Sequence, residues 1–265
     1  MSARLLAFDT ATEQMSVGLL VDGRRFVVDA PGGQKASAAL IPTLLRLLGE
    51  AGIGIGDLDA IAFGRGPGAF TGLRTACAVA QGLAFGAGKP VLAIDTLAAV
   101  AEAARLAVDP LADVLDVWVA MDARMDEIYA ARHAWRDGRW SVRVAPLLIG
   151  AAELDARWRA DPPSVVAGNA LAAFGAALNP GAARCVPEAM PHALALLALA
   201  QDAWHDGAAV DAAQALPLYL RDKVALTIAE REAARLAKVH TTVPASVPAT
   251  VAATVAATVP VKAPA

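Results

Sequence analysis

A glycine-rich segment contains the residue types in this sequence that could most directly do chemistry. It reads GRGPGAFTGLR from Gly64 to Arg74 and lies between a predicted strand and a predicted helix. Glycines permit positive φ and close backbone approach, and the N-terminus of a helix offers free N–H groups to an anion. We therefore consider Gly66, Gly68 and Thr71 as contacts to an anion or a nucleotide, with the Arg74 guanidinium pairing with the same anion.

The same glycines also have a purely structural interpretation. The segment lacks the Lys-Ser/Thr of a P-loop and the spacing of the dinucleotide-binding fingerprint. In this interpretation the glycines let the loop pass tightly under a neighbouring element. At the level of the sequence both interpretations remain open.

Two aspartates, Asp9 and Asp122, form a second candidate site because each ends an apolar run. Carboxylates that face each other across a cleft could hold a metal–nucleotide complex or act as a general base. The alternative is that each aspartate caps the turn after its strand. Thr10 and Thr12 beside Asp9 favour such local hydrogen bonding.

Motifs for a metal ion or a catalytic nucleophile are missing from the sequence. The four histidines are far apart, none belongs to a His-x3-His or His-Glu-x2-His motif, and Gly-x-Ser-x-Gly does not occur. Cys77 and Cys185 are 108 positions apart, which is typical of reduced thiols in a cytoplasm rather than of a disulfide or zinc site. We therefore predict no catalytic residue, no metal and no cofactor.

The elements that must position the two aspartates repeat along the chain. An apolar run that ends in Asp9 is followed by an Asp-Gly-Arg turn at 22–24, and a run that ends in Asp122 is followed by one at 137–139. Asp-Gly between apolar runs predicts a β-hairpin, and short apolar strands that alternate with helical patterns predict an α/β fold. Chance recurrence is the alternative, but offsets of 113 and 115 residues favour a duplicated domain with a cleft between its halves. We predict an N-terminal lobe over 1–107 and a C-terminal lobe over 108–222.

The remainder of the chain changes in character. Residues 223–239 are predicted to form a last amphipathic helix, and residues 240–265 a disordered Ala/Val/Thr/Pro tail. The final 25 residues contain eight Ala, six Val, five Thr and four Pro, with Lys262 as the only charge. We assign this tail no function.

Composition narrows the class of protein. With 23 basic and 26 acidic residues the net charge is −3, so nothing predicts non-specific binding to nucleic acid. The longest uncharged run is interrupted by prolines and glycines, and no signal peptide is visible at the start. We expect a cytoplasmic globular protein without a membrane span.

A series of motifs in a fixed order resembles one bacterial family. The motifs are AFDTAT at 7–12, SAALIP at 37–42, GPGAFTGLR at 66–74, PVLAIDTLAAVA at 90–101, DARMDEIY at 122–129, GNA at 168–170 and PLYLR at 217–221. They resemble the tRNA threonylcarbamoyladenosine biosynthesis proteins of the TsaB (YeaZ) family over most of the chain. Two departures are Ala36, where relatives commonly carry His, and Ala69, where they usually carry Ser.

The resemblance implies a fold and a function. The fold would be α/β and actin-like or ribonuclease-H-like (ASKHA), with two related lobes of mixed sheets flanked by helices. The family's members are regarded as non-catalytic paralogues of the TsaD subunit and bind it through two apolar N-terminal helices, and TsaE, an ATPase, joins the pair. The complex transfers a threonylcarbamoyl group from threonylcarbamoyl-adenylate to the exocyclic amine of the adenosine 3′ of the anticodon in tRNA.

Carried onto this chain, the resemblance implies a partner face and a set of partners. The face would be formed by Leu40, Leu44, Leu48, Phe70, Leu73, Ala76 and Ala80. We expect a TsaD-like and a TsaE-like partner, a homodimer in the absence of a partner, and contact with tRNA only through the complex. The alternative function is an active ATPase or small-molecule kinase that uses Asp9 and the Gly66–Gly68 loop. A third possibility, a peptidase, is disfavoured because the metal motif is missing.

Overall fold

Two five-stranded sheets organise the part of the chain that the structure describes. The structure is a computed structural model that describes residues 3–221. The predicted helix 223–239 and tail 240–265 lie outside the described residues. The lobe boundaries given above remain predictions.

The first sheet has the strand order β3-β2-β1-β4-β5. Its strands are β1 (Leu5–Asp9), β2 (Gln14–Val21), β3 (Arg24–Pro31), β4 (Ala60–Gly66) and β5 (Val91–Asp95). The strands β1, β2 and β3 are antiparallel, whereas β4 and β5 run parallel to β1. Asp9 is the last residue of the central strand and therefore lies where the parallel strands end.

The second sheet repeats this topology, with the order β8-β7-β6-β9-β10. Its strands are β6 (Val114–Asp122), β7 (Glu127–Arg136), β8 (Arg139–Gly150), β9 (Val165–Ala167) and β10 (Arg184–Val186). The strands β6, β7 and β8 are antiparallel, and β9 and β10 are parallel to β6. Asp122 ends β6 as Asp9 ends β1, so the predicted duplicated fold with mixed sheets is confirmed.

The two Asp-Gly turns have the backbone conformation that the sequence predicts. Asp22 and Gly23 have φ of 48° and 80°, and Asp137 and Gly138 have φ of 52° and 74°. Positive φ at both central residues is the pattern of a type I′ turn, whose twist matches that of the flanking strands. Each turn therefore joins an antiparallel hairpin at the same place in its sheet.

Helices cover both faces of each sheet. They are α1 (Ala36–Ala51), α2 (Phe70–Ala87), α3 (Thr96–Val108), α4 (Ala151–Ala160), α5 (Ala170–Phe174) and α6 (Ala193–His205). Strand β1 shows why two layers form, because its side chains alternate: Phe8 packs in the core with α1 and α2, and Ala7 in the core with α6. Strand β6 is similar, with Val119 in the core with α3 and Trp118 in the core with α4 and α5.

Each sheet receives one helix from the other half of the chain. Helix α3 follows the first sheet but most of its buried apolar residues pack on the second, and α6 follows the second sheet but packs mainly on the first. The two helices also contact each other. None of the helices in residues 3–221 is both long and apolar enough to cross a bilayer.

Candidate functional site

Asp9 is fully buried, and both of its carboxylate oxygens are engaged within the chain. Oδ1 accepts a hydrogen bond from the Ala11 amide at 2.5 Å, and Oδ2 accepts one from Thr96 Oγ1 at 2.7 Å. The same Thr96 hydroxyl accepts from the Gly66 amide at 3.2 Å. Burial raises the pKa of Asp9, and the hydrogen bonds from Thr96 and Ala11 oppose that rise. A Cβ on Gly64 would lie 1.8 Å from Asp9 Oδ2, so glycine is required beside the carboxylate.

Gly68 in the loop after β4 and Gly72 in the first turn of α2 pack closely against the residues that follow β1. A Cβ on Gly68 would lie 2.4 Å from the Ala11 carbonyl oxygen, and one on Gly72 would lie 1.9 Å from the Thr10 carbonyl oxygen. Two hydrogen bonds hold this approach: the Ala69 amide donates to the Ala11 carbonyl at 2.7 Å, and Thr10 Oγ1 donates to the Gly72 carbonyl at 2.7 Å. This geometry favours the structural interpretation of the loop over anion binding.

Arg74 and Thr71, the other two candidate anion contacts, lie at the N-terminal end of α2. The Arg74 guanidinium lies 3.9 Å from the centre of the Phe70 ring, and its Nε donates to the Tyr219 hydroxyl at 3.2 Å. The Phe70 and Tyr219 rings are 5.4 Å apart. Thr71 is exposed and its carbonyl accepts from Thr75 Oγ1 at 3.0 Å. Arg74 is thus part of an aromatic stack with a residue 145 positions later, which no local pattern could indicate.

Asp122 forms the same local hydrogen bond as Asp9, in the turn after its own strand. Its Oδ1 accepts from the Arg124 amide at 2.8 Å, two residues on, as Asp9 accepts from the residue two positions after it. The Arg124 guanidinium contacts Asp122 Oδ2 at 3.1 Å and also pairs with Glu13, in the turn after β1. The Asp122 amide donates to Asn169 Oδ1 at 2.8 Å. Both aspartates therefore cap the turns that follow their strands, which was the alternative to a metal–nucleotide site or a general base.

Most residues of the expected partner face are not on the surface, and this expectation is corrected for them. The buried side chains are Leu40, Leu44, Leu48, Leu73, Ala76 and Ala80, each at most 4% exposed. All of them except Leu73 pack between the two helices and the first sheet, in the core that contains Phe8, and Leu73 packs beside Gly66. Phe70, in the stack described above, is half-buried. An apolar helix buries its most regular leucine stripe against its own sheet, so that stripe is unavailable to a partner in this structure.

The solvent-exposed sides of α1 and α2 carry a different set of apolar and small residues. Ile41 is 45% and Leu45 52% exposed on α1, and Phe85 is 83% exposed on α2. Ala78 and Gly82, also exposed, precede Phe85 on the same side of α2. We call these five residues the α1–α2 face. The sequence did contain a signal, because Ile41 and Leu45 are four apart and offset from the leucine stripe.

A separate polar cavity of about 230 Å³ lies between α3, α6 and the β7–β8 hairpin. On its wall, Arg105 donates to Glu102 through two nitrogens at 2.8 Å each, and its guanidinium lies 4.3 Å from the centre of the Trp135 ring. Asp202 also lines the cavity, and burial raises its pKa. Both partners of this ion pair are on α3, and the contact between Arg105 and Trp135 joins the pair to the hairpin. Residues 3–221 contain no cluster of three or more His, Cys, Asp or Glu side chains that could hold a metal ion.

Comparison with known proteins gives a consistent result. The family described as TsaD, tRNA N6-adenosine threonylcarbamoyltransferase, matches residues 32–261. The tRNA threonylcarbamoyladenosine biosynthesis protein TsaB of Escherichia coli is 30% identical over 237 residues, which are 84% of this chain and 96% of that protein. The protein of the same name from Haemophilus influenzae is 43% identical over 125 residues, 47% of this chain and about half (51%) of that protein. The solved structure of YeaZ from Pseudomonas aeruginosa has a TM-score of 0.74 and 38% identity, covering 82% of this chain and 100% of that one.

Proposed function

The chain belongs to the TsaB (YeaZ) proteins of the TsaD family, and we propose that it is a non-catalytic subunit in tRNA threonylcarbamoyladenosine biosynthesis. In this role it supports a TsaD-like subunit, which attaches the threonylcarbamoyl group to the adenosine 3′ of the anticodon. The TsaD-like subunit binds the α1–α2 face, a TsaE-like ATPase joins the pair, and tRNA contacts this chain only through the complex.

The observation that carries the proposal is the composition of the α1–α2 face. Phe85 is the most exposed apolar side chain of α2. Ala78 and Gly82, which precede it on the same side of the helix, have little or no side chain to project from the surface. A large apolar side chain beside small residues lets a partner helix approach closely and bury the aromatic ring. Ile41 and Leu45 extend the apolar surface onto α1. The two helices contact each other, and exposed apolar side chains on neighbouring helices are typical of a protein–protein contact.

Support for a non-catalytic role comes from the positions that a nucleotide would need. Both oxygens of Asp9 accept hydrogen bonds inside the chain, and the glycine loop is packed on the backbone of Thr10 and Ala11. An anion at this loop would have to displace those contacts. The alternative function as an ATPase or kinase is therefore not favoured.

We further propose that the α1–α2 face forms a homodimer when no partner is bound. A patch used by two copies must be self-complementary about a two-fold axis, and two neighbouring helices can pair in this way. The partner and the second copy then compete for one surface. The complex would assemble in the cytoplasm, a compartment consistent with the free thiols of Cys77 and Cys185.

The experiment compares two exposed apolar residues of similar accessibility. Phe85→Glu places a charge at the most exposed apolar residue of the face, and Leu111→Glu makes the same change at a residue that is 89% exposed outside it. We expect Phe85→Glu to weaken binding of the TsaD-like subunit at least about thirtyfold in calorimetry, as loss of a central aromatic anchor does. We expect Leu111→Glu to bind like the unmodified chain. Equal affinities for the two variants would show that the face is elsewhere.

A cellular measurement tests the function itself. Depletion of this protein should lower the threonylcarbamoyladenosine content of tRNA, measured by mass spectrometry, and re-expression of the Leu111→Glu variant should restore it. Re-expression of Phe85→Glu should not. Normal levels of the modified nucleoside after depletion would contradict the proposed function.

A further inference from the structure

Residues 215–221, which we call the strap, begin in contact with the middle of α2. The Ala215 carbonyl accepts a hydrogen bond from Cys77 Sγ at 3.3 Å and one from Gln81 Nε2 at 3.0 Å. Both donors lie on α2, so the start of the strap is attached to that helix at two successive turns.

The middle of the strap lies over the glycine loop and the start of α2. The Leu218 amide donates to the Arg65 carbonyl at 2.7 Å, and the Leu218 carbonyl oxygen is 3.1 Å from the position of a Cβ on Gly66. The next residue, Tyr219, forms the stack with Phe70 and accepts the hydrogen bond from Arg74. The strap thus follows the surface at which the loop passes into α2.

The strap ends in the second half of the fold, where the Arg221 side chain contacts the turn between β6 and β7. One terminal nitrogen of Arg221 lies within hydrogen-bond distance of the carbonyls of Ala123 and Arg124, at 3.1 Å each, and of Glu127 Oε2, at 2.6 Å, so its two N–H groups are shared among three oxygens. The other lies 3.2 Å from Met125 Sδ. The planar guanidinium brings two nitrogens to the turn at once, one to the three oxygens and one to Met125 Sδ, which the single nitrogen of an ammonium cannot do.

The turn that Arg221 contacts has an unusual backbone conformation. Arg124, Met125 and Asp126 have φ of 63°, 57° and 59°, all in the left-handed region, and none of them is glycine. Consecutive residues with a Cβ adopt this conformation only where surrounding contacts impose it. Arg221 supplies such contacts on both sides of the turn. Arg221 is therefore one of the contacts that hold the conformation of residues 123–127, together with the hydrogen bond from the Ala123 amide to the Glu127 carbonyl at 2.9 Å.

We propose that the strap couples the partner-binding helix α2 to the turn 123–127, so that docking on the α1–α2 face orders this turn across the fold. This inference rests on the proposed function. Arg74 lies one turn before Ala78 on α2, so the stack with Tyr219 continues the α1–α2 face towards the strap. A partner that packs on this side of α2 restrains the stack, and only Leu220 separates Tyr219 from Arg221, which contacts the turn. The coupling thus runs through one continuous set of contacts with a strained element at its end.

Amide hydrogen exchange of the full chain, free and bound to the TsaD-like subunit, tests the coupling. In the unmodified chain we expect partner binding to slow exchange of the peptide that covers 123–127. Arg221→Lys keeps the charge but loses the forked contacts, and we expect this peptide to exchange about tenfold faster, the factor for losing one charge-assisted hydrogen bond. In this variant the partner should still bind but no longer slow the exchange. Arg143→Lys, at an exposed arginine on β8, is the matched control and should behave like the unmodified chain.

A second variant perturbs the other end of the strap. Tyr219→Phe removes only the hydroxyl that Arg74 contacts, and we expect it to speed exchange at 123–127 in the free chain although Tyr219 is not part of that turn. It keeps the test valid if Arg221→Lys fails to fold, as judged by its melting curve. Unchanged exchange at the turn in Tyr219→Phe, or partner binding to the unmodified chain without slower exchange there, would overturn the coupling. Failure of the unmodified chain to bind the partner would instead contradict the proposed function. The comparison of Tyr219→Phe with the unmodified chain, both without partner, would still show whether the strap affects the turn.

Discussion

The carboxylate of Asp9 occupies the volume that a side chain on Gly64 would need. A Cβ on Gly64 would lie 1.8 Å from Asp9 Oδ2 and 2.9 Å from Asp9 Cβ. The two residues are on neighbouring parallel strands, and Asp9 is held in place by its hydrogen bonds to Ala11 and Thr96. The strand pair and the buried carboxylate are therefore packed as one unit.

Gly64→Ala should destabilise the protein because neither the carboxylate nor the strand can move aside. We expect a loss of about 3 kcal/mol, at the upper end of the cost of overpacking a core, measured by urea denaturation. Gly82→Ala is the matched control, because a Cβ at this helical, exposed glycine meets no atom within 4 Å. That change should stabilise the chain by up to about 1 kcal/mol. A neutral effect of Gly64→Ala would mean that the two strands separate more easily than the packing indicates.

Substitutions of Asp9 distinguish hydrogen bonding from charge. Asp9→Asn keeps an oxygen for the Ala11 amide, whereas Asp9→Ala leaves that amide and the Thr96 hydroxyl without their acceptor. Because burial raises the pKa of Asp9, the ionised carboxylate is costly in the folded state. We expect Asp9→Ala to lower the free energy of unfolding by about 3 kcal/mol at pH 7, and Asp9→Asn by clearly less. Equal losses would show that the negative charge itself is needed.

His133 should make stability fall in mild acid. It is 1% exposed on β7, its Nε2 has no hydrogen-bond partner among the described residues, and burial lowers its pKa to about 4. The unfolded chain takes up a proton near pH 6.5 and the folded chain only near pH 4, so the unfolded state is favoured progressively as the pH falls through this range. The expected loss is about 3 kcal/mol between pH 7 and pH 4.

The contribution of His133 can be separated from that of Asp9, which has the opposite sign. The raised pKa of Asp9 means that the folded state binds its proton more readily, so its contribution to stability is present below the unfolded pKa and lost as the pH rises through the folded one. The free energy of unfolding, measured by urea denaturation between pH 7 and pH 4, should therefore fall more steeply with falling pH in the unmodified chain than in His133→Gln. Parallel pH profiles for the two proteins would rule out a buried neutral His133.

Glu102→Gln should destabilise the contact between α3 and the β7–β8 hairpin. Glu102 accepts two hydrogen bonds from Arg105 and one from Trp140 Nε1 at 2.9 Å, and its side chain is 3% exposed. Removing the charge leaves a mostly buried guanidinium without its partner, at a cost of about 3 kcal/mol. The control, Glu153→Gln, breaks an ion pair with Arg157 in which both side chains are more than 40% exposed, and should change stability by less than about 0.5 kcal/mol. Thermal melts of both variants check the difference, and similar melting temperatures would contradict it.

Local patterns in the sequence determined the framework of this protein. The alternating apolar runs and the two Asp-Gly turns were sufficient to predict the hairpins, the duplication and the end positions of Asp9 and Asp122, because type I′ turns and pleated strands depend on residues close together in the chain. The three-residue strand β10 was not predicted, since its segment Arg184–Val186 forms no apolar run, whereas the equally short β9 is wholly apolar and buried.

Only the tertiary structure decided which helix surfaces are exposed to solvent and which polar groups already have hydrogen-bond partners within the chain. Periodicity shows that α1 has an apolar stripe but not that Leu44 faces the sheet while Leu45 faces solvent, because both sides of the helix carry leucines. Likewise, a glycine-rich loop has one sequence whether it binds an anion or packs against Thr10, and only the 1.9 Å approach at Gly72 distinguishes the two. The pairing of Arg74 with Tyr219 joins residues 145 positions apart, and such contacts exist only once the chain has folded.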